Sequence, residues 1–540
     1  MKKKNIFALL ITFAIGLVHF YINLPAINLH NTAFYTFFFT LSAIYCVICL
    51  LFSGKILPNL QNPREIWTEV KATCKIPVII CVVLLLINIL GSLFSSVIFR
   101  ANAYKDLLTV KEADFATEVV EISYDKIPLL DKASAERLGD RKLGELSDMV
   151  SQFEVMDDYV QINYKGTPVR VATLSYGDVF KWWNNKNNGL PAYIVIDMIS
   201  QNVDVVRLPE GIRYSNADHF GRNIDRHLRF SYPTFMFGTP HFEIDDSGNP
   251  YWITPKVEMT IGLFGGRDID GVVLTNAITG ENKYYHSNEV PTWVDQVYIA
   301  ELIIEQYDYH GRYQNGFINS LFGQKGCTVT TDGYNYIAMN DDVYLYTGIT
   351  SVGGDESNIG FILSNQRTKE THYYSCAGAE EYSAMSSAQG VVQHLGYKST
   401  FPLLLNLSNE PTYFMALKDN AGLVKMYAMV NVRQYNIVAT GSTVSECERN
   451  YYALLNQNNI KVETSKNLEN VSGTVSDIRS SVINGNTIYY FSLTDDKTFY
   501  SVSASSCPEA VIINIGDFVT LQLESEKGTE IVSCSKIERG

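Results

Sequence analysis

Basic charge is scarce over most of this sequence. The chain holds 43 Lys/Arg against 57 Asp/Glu, a formal charge of −14. Residues 1–100 take eight of the basic and two of the acidic residues, so residues 101–540 hold 35 against 55. A body this acidic is a poor partner for nucleic acid, because phosphate affinity comes mainly from Lys and Arg releasing counterions. Docking on anionic lipid through charge is disfavoured for the same reason.

Cysteine is thin and scattered. Of nine cysteines, Cys46, Cys49, Cys74 and Cys81 lie in or beside apolar runs, and Cys327, Cys376, Cys447, Cys507 and Cys534 are spread through the remainder. That pattern excludes a disulfide framework and leaves room for one bridge, Cys507 with Cys534. Catalytic signatures are missing too. There is no H-E-x-x-H, no G-x-S-x-G, no Walker loop and no C-x-x-C of metal spacing in the body. No cofactor or metal is expected, and no catalytic residue is assigned.

What is present is long apolar runs near the start. Ile76 to Phe99 carries no charge and is long enough to cross a hydrocarbon core of roughly 30 Å as one helix. Two further runs precede it, Ile6 to about Ile27 and Thr32 to Phe52. A basic start before an apolar stretch also fits a cleaved signal peptide. Here the stretch is long for that, no clean small-residue cleavage site follows, and a second span begins almost at once. Lys2, Lys3, Lys4, Lys55, Arg64, Lys71 and Lys75 fall on one side of the three crossings, and the link Asn28–Asn31 has no Lys or Arg. Positive-inside reasoning places the N-terminus and the 54–75 loop in the cytoplasm, and residues 101–540 outside it. The expectation is a multi-pass protein of the cell membrane, with the lipid bilayer as its first partner. Gly91 and Ser95 form a small-xxx-small pair suited to close helix packing, on neighbouring spans or on another copy. Cys46-x-x-Cys49, in the middle of an apolar helix, reads as packing residues and not as a redox site.

The body reads as α+β. Asp131 caps a helix running towards Met149. Phe153 to Leu174 alternates as a strand pair about Lys165-Gly166, and Tyr193–Asp197 with Val203–Val206 reads as a second pair. Helices are expected over Asn216–Phe230, Thr292–Tyr307, Glu380–Leu395 and Val444–Asn456. Strands are expected between them. The implied organisation is a three-helix transmembrane region (1–100), a connector with a first α+β module (101–210), second and third modules (211–325 and 326–460), and a terminal β-barrel (461–540).

The hairpin Val273-Leu274-Thr275-Asn276-Ala277-Ile278-Thr279-Gly280-Glu281 resembles the strand–turn–strand signature of PepSY-type modules of bacterial envelope proteins. The whole chain resembles uncharacterised multi-pass membrane proteins of Gram-positive gut bacteria, which implies a cell-envelope setting but no activity. PepSY resemblance implies modulation of an envelope protease or other envelope machinery, hence a protein partner. Residues 471–537 are almost all strand, punctuated by Asn484-Gly485, Gly516-Asp517 and Lys527-Gly528, and resemble a small OB-like barrel. With seven Lys/Arg against eleven Asp/Glu from Lys461 to Gly540, this barrel reads as a structural or protein-contact module, not a nucleic-acid binder.

One polar cluster stands out. On a continuous helix from Asn216, the side chains of Asp218, Arg222 and Arg226 share a face, as do His219 and Asn223, and His227 follows His219 by eight residues. These residues could hold an anion or a histidine-based site, or form a solvated face of i,i+4 pairs. Cys327, with His310 upstream, is a second and weaker candidate as a nucleophile. Asp341-Asp342 and Gly353–Asn358 have calcium-type oxygen donors without the spacing of a calcium loop. The leading functional expectation is a membrane-anchored extracytoplasmic binding or scaffold protein. The alternatives are an envelope hydrolase or transpeptidase acting on peptide or glycan, and a signal-receiving subunit whose output a partner supplies.

Overall fold

A computed structural model describes residues 2–53, 68, 71, 74–119, 127–339, 341–353, 357–460, 470–483, 486–504, 507–523 and 531–540. Outside them lie Lys55 and Arg64 of the charged loop, Gly354-Asp355-Glu356, residues 461–469 at the expected barrel boundary, and the turns Asn484-Gly485 and Lys527-Gly528.

Three helices, Lys2–Asn23, Thr32–Ser53 and Lys75–Phe94, are long and apolar enough to span a membrane. No residue of the third is buried, although most of its side chains are Ile, Leu or Val. One side of this helix packs on the second helix, and the rest of its surface is exposed and apolar, as suits an apolar medium. The first two helices pack where the first presents Ala8, Thr12 and Gly16, one turn apart and all buried. A Cβ on Gly16 would stand 3.1 Å from Leu41, so the small residue sets how close the helices come. Cys49 packs with Ala8 and Cys74. None of the nine cysteines forms a disulfide, and Cys507 and Cys534 are buried without a bridge between them.

The single helix expected over Ile76–Phe99 is two. It stops at Phe94 and restarts as Val97–Lys105, with Ser96 extended between them at φ −71° and ψ 152°. The break has a cause in the body. Ser95 Oγ accepts from the amides of Leu263 and Phe264 at 2.8 and 3.0 Å, and Tyr104 Oη donates to the Ser95 carbonyl at 2.7 Å. A straight helix could not present both the hydroxyl and the carbonyl of Ser95 to a neighbouring turn.

The chain divides into two compact units, Met1–Ala439 and Thr440–Gly540. The body of the first unit is α+β, as expected, with mostly antiparallel sheets. One sheet orders Phe153–Val155, Thr167–Tyr176, Leu190–Asp197 and Val203–Ile212, with Val160–Tyr164 also on Thr167–Tyr176. A second orders Asn282–His286, Gly265–Asn276, Pro250–Ile261 and Met236–Phe237, with His241–Ile244 also on Pro250–Ile261. A third runs from Thr328–Thr330 through Asp342–Ser351, Ser357–Asn365 and Thr371–Ala379 to Val110–Ala113, the last pair parallel. A further hairpin stack holds Leu403–Leu407, Glu410–Lys418 and Val424–Asn431.

The second sheet is covered on both faces. Val273 packs with Trp252, Leu174 and Ile194, while Val272 and Leu274 pack with Ile253, Leu302 and Leu345 on the other side. Side chains alternate along a strand, so a central strand wants apolar residues at consecutive positions. That is why Val272-Val273-Leu274 is an unbroken apolar run.

Two expected helices begin well after the start of their sequence pattern. Thr292–Tyr307 becomes Ala300–Arg312. The amides of Asp295 and Gln296 are drawn onto the buried Glu243 carboxylate at 3.0 and 3.1 Å, and those of Val297 and Tyr298 onto the Gln366 carbonyl at 3.0 and 2.8 Å, which holds the segment extended. The helix expected from Asn216 starts only at Ile224. By contrast the helix Lys132–Gly144 begins on Asp131, whose carboxylate accepts from the Ser134 amide at 3.0 Å and pairs with Lys418 at 2.6 Å.

In the second unit, Thr443 Oγ1 accepts from the Glu446 amide at 3.1 Å and opens the helix Val444–Gln457. Five strands close a barrel in the order Asn470–Ile483, Asn486–Leu493, Phe499–Ser503, Ile531–Arg539 and Phe518–Leu523. Phe491, Tyr500, Val519, Leu521 and Val532 fill it.

Candidate functional site

The segment from Ser215 to Ser231 is where the body meets the membrane-type helices, and its local chemistry explains its shape. Ser215 Oγ donates to the Asp218 carboxylate at 3.1 Å, and Trp182 Nε1 donates to the other carboxylate oxygen at 3.1 Å. Asp218 is thereby turned inward, 1% exposed. Phe220 takes a left-handed backbone, φ 55°, and Arg222 sits in a single 3-10 turn. Asn223 then caps the helix Ile224–Ser231 through the Arg226 amide. A helix through Asn216–Asn223 would pull the Asp218 carboxylate away from both of its donors.

The five cluster residues consequently do not share a face. Arg222 donates to the Lys186 carbonyl beside Asp218. His219 is exposed, its ring 4.6 Å from the Trp182 ring. Arg226 lies over the Tyr21 ring at 4.9 Å and donates to the Tyr21 carbonyl at 3.4 Å. His227 Nε2 donates to the Gly280 carbonyl at 2.7 Å, pinning the turn of the hairpin that follows Gly265–Asn276. Burial pushes the Asp218 carboxyl up to about 6, against the pull of its Trp182 and Ser215 hydrogen bonds and the Arg222 charge.

Arg229, at the end of the same polar run and not among its five candidates, is the most heavily engaged of these side chains. It is 6% exposed and donates from Nε to the Leu24 carbonyl at 2.9 Å. From one terminal nitrogen it reaches the carbonyls of Phe235 at 2.6 Å and of Tyr232 and Pro233 at 3.3 Å. Leu24 ends the first long helix in a left-handed conformation, φ 48°. The guanidinium therefore caps the negative end of that helix. Burial lowers its pKa to about 10, which leaves it a cation at neutral pH. The link between the first two helices is held by the same body segment. Ile27 donates its amide to the Pro233 carbonyl at 2.8 Å, Asn28 Nδ2 donates to the Thr234 carbonyl at 3.0 Å, and the His30 ring meets the Leu263 carbonyl at 2.9 Å.

Beside this clamp is a cleft of about 700 Å3. Its walls include Met236, Pro255, Val257, Met259, Ile269 and Leu302, and its polar groups include His30, Asn31, Asn216, Asn223, Asp225 and Arg267. Asp225 is solvent-exposed, yet the surrounding walls raise its pKa while Arg226 and Arg229 pull it partly back. Arg267 is met by Glu305 at 2.6 Å. Among the described residues neither Ser nor Cys lines the cleft. Apolar walls with a few polar groups suit binding of a side chain or ligand with an apolar body and a polar end.

The second candidate disperses as well. The Cys327 thiol is buried and donates to the Arg312 carbonyl at 3.2 Å, while the His310 ring meets the Lys105 carbonyl at 3.1 Å. Among the described residues no group of His, Cys, Asp and Glu could hold a metal ion. Gly91 and Ser95 face the body's own turn: a Cβ on Gly91 would stand 2.7 Å from the Phe264 ring. Comparison of the sequence with protein families and with curated proteins finds no match.

Proposed function

We propose that this chain is a membrane-anchored binding and scaffold protein of a bacterial cell envelope, with its α+β body outside the cytoplasm. The observation that carries the reading is the double attachment of body to helices. Arg229 holds the end of the first helix, and the turn around Leu263 and Phe264 holds Ser95 at the end of the third. A domain on a loose tether needs neither contact. A body fixed at both places keeps one face towards the bilayer and offers the same opposite face to every partner.

The side of the membrane is read from the basic residues of the N-terminus and the 54–75 loop, which lie opposite the body after three crossings. Resemblance of the Asn276–Glu281 turn to PepSY modules favours an envelope protease or assembly factor as the partner. That turn is ordered by its own chemistry: Asn276 Oδ1 accepts from the amides of Ile278 and Thr279 at 3.0 and 2.9 Å. The terminal barrel, OB-like in strand count, serves in this reading as a protein-contact module.

An impermeant thiol reagent applied to intact cells carrying Asn288→Cys tests the orientation. All five body cysteines are buried, so background labelling is low. Labelling of intact cells is expected, and labelling seen only after lysis would reverse the topology. Crosslinking and co-purification from native membranes then identifies the partner, and a chain that purifies alone from crosslinked membranes would count against the scaffold role.

A further inference from the structure

Residues Gly316 to Gly323, Gly-Phe-Ile-Asn-Ser-Leu-Phe-Gly, carry no charge, and they fold inside out relative to a loop meant for water. Their polar side chains turn inward. Asn319 Nδ2 donates to the Lys325 carbonyl at 3.0 Å and to Cys327 Sγ at 3.3 Å, its Oδ1 accepts from the Lys325 amide at 3.2 Å, and Ser320 Oγ donates to the Phe317 carbonyl at 2.7 Å. Their apolar side chains point out: Ile318 is 69% exposed, Leu321 54% and Phe322 83%. A wide turn over Asn319–Gly323, closed by the Gln324 amide on the Asn319 carbonyl at 2.6 Å, keeps the backbone bonded while the side chains project.

The neighbour of this loop identifies what covers it. The turn Gly316–Ile318 packs on the helix Val97–Lys105, which continues from the third membrane-type helix. That helix begins with Val97, Ile98 and Phe99, and Ile98 and Phe99 are themselves 56% and 59% exposed. Phe99 lies 6.4 Å from the ring of Phe94, at the end of the third helix. Exposed apolar side chains thus run from the span through Phe94, Ile98 and Phe99 onto the helix against which the loop packs. Aromatic and aliphatic groups that flank a span at this level sit at the boundary of headgroups and acyl chains.

We infer that residues 316–323 are a membrane-inserted finger, with Ile318, Leu321 and Phe322 buried in the lipid leaflet on the body's side. The inference rests on the reading that Lys75–Phe94 spans the bilayer. The finger would complete the attachment made by Arg229 and Ser95 with a contact made by lipid itself. It needs no basic residue, in keeping with an acidic body, because its affinity comes from apolar area.

The test is photo-crosslinking of the full chain in vesicles of phosphatidylcholine and phosphatidylglycerol. p-Benzoylphenylalanine replaces Phe322 in one variant and Leu85, midway along the third helix, in another. Lipid adducts at both positions are expected. Lipid adducts at 85, with none or only protein adducts at 322, would overturn the finger and leave the span standing. No lipid adduct at either position would overturn both. Because Phe322 is 83% exposed, the substitution is expected to leave folding intact, and circular dichroism of both variants checks this.

Discussion

Arg229 donates to the carbonyl of Leu24 across 205 residues of sequence, at 2.9 Å. This bond joins the body to the end of the first membrane-type helix, and three further carbonyls of the body converge on the same guanidinium. Removing a buried cation that satisfies several carbonyls leaves them without donors. Arg229→Ala is therefore expected to destabilise the first unit by about 3 kcal/mol, and Arg229→Lys by less, since the ammonium keeps the charge but not the fork. Thermal unfolding in detergent micelles measures both. An unchanged midpoint in Arg229→Ala would remove the clamp from the account of how the body is held.

The second attachment depends on close approach. Gly262 has φ +65°, and a Cβ there would stand 2.5 Å from Ser95 Oγ. Gly262→Ala is strained in backbone and in space at once. Ser95→Ala removes the acceptor of two amides and is expected to cost about 1–3 kcal/mol. Combining the two substitutions should cost clearly less than their sum, because each breaks the same contact. A strictly additive double-mutant cycle would show that turn and serine act separately.

Asp218 has a pH signature of known sign. Its folded-state pKa, raised to about 6 by burial, lies above that of the unfolded chain. The folded state binds the proton more tightly between about pH 4 and 6, so stability falls as pH rises through that window. The contribution of this group is on the order of 3 kcal/mol, fully lost above about pH 6. Asp218→Asn keeps a hydrogen-bonding side chain at the site and should flatten the slope in denaturant titrations between pH 4 and 7. A slope identical to that of the unsubstituted chain would mean the carboxyl is not the titrating group.

The barrel of residues 470–540 is expected to fold alone, since its strands pair among themselves around their own core. A fragment starting at Lys466 should melt cooperatively and give dispersed amide resonances. Aggregation, or a broad transition without a baseline, would show that the unit needs the rest of the chain.

Much of the fold was legible from local pattern. Three uncharged apolar runs, the cap at Asp131, the hairpin about Lys165-Gly166 and the strand-rich tail all rest on interactions between residues near in sequence, and each stands in the structure. The two late-starting helices were not legible. Their periodicity is helical, but Glu243 takes the amides of Asp295 and Gln296 from 52 and 53 residues away, and Trp182 takes Asp218 from 36 away. Such partners leave no trace in a short window.

The sequence by itself determined that the chain carries membrane-type helices, that the body is acidic α+β and that the tail is a run of short strands. Composition and period decide these, because apolar length and side-chain alternation act locally. Only the tertiary structure decided what the Asn216–Phe230 segment is. The candidates read there as one polar cluster are turned towards Trp182, Lys186, Tyr21 and Gly280, and Arg229, given no role from the sequence, takes the central place. The reason is physical: a buried cation is placed by carbonyls that the fold brings together, and the end of a membrane-type helix supplies one that no local pattern announces.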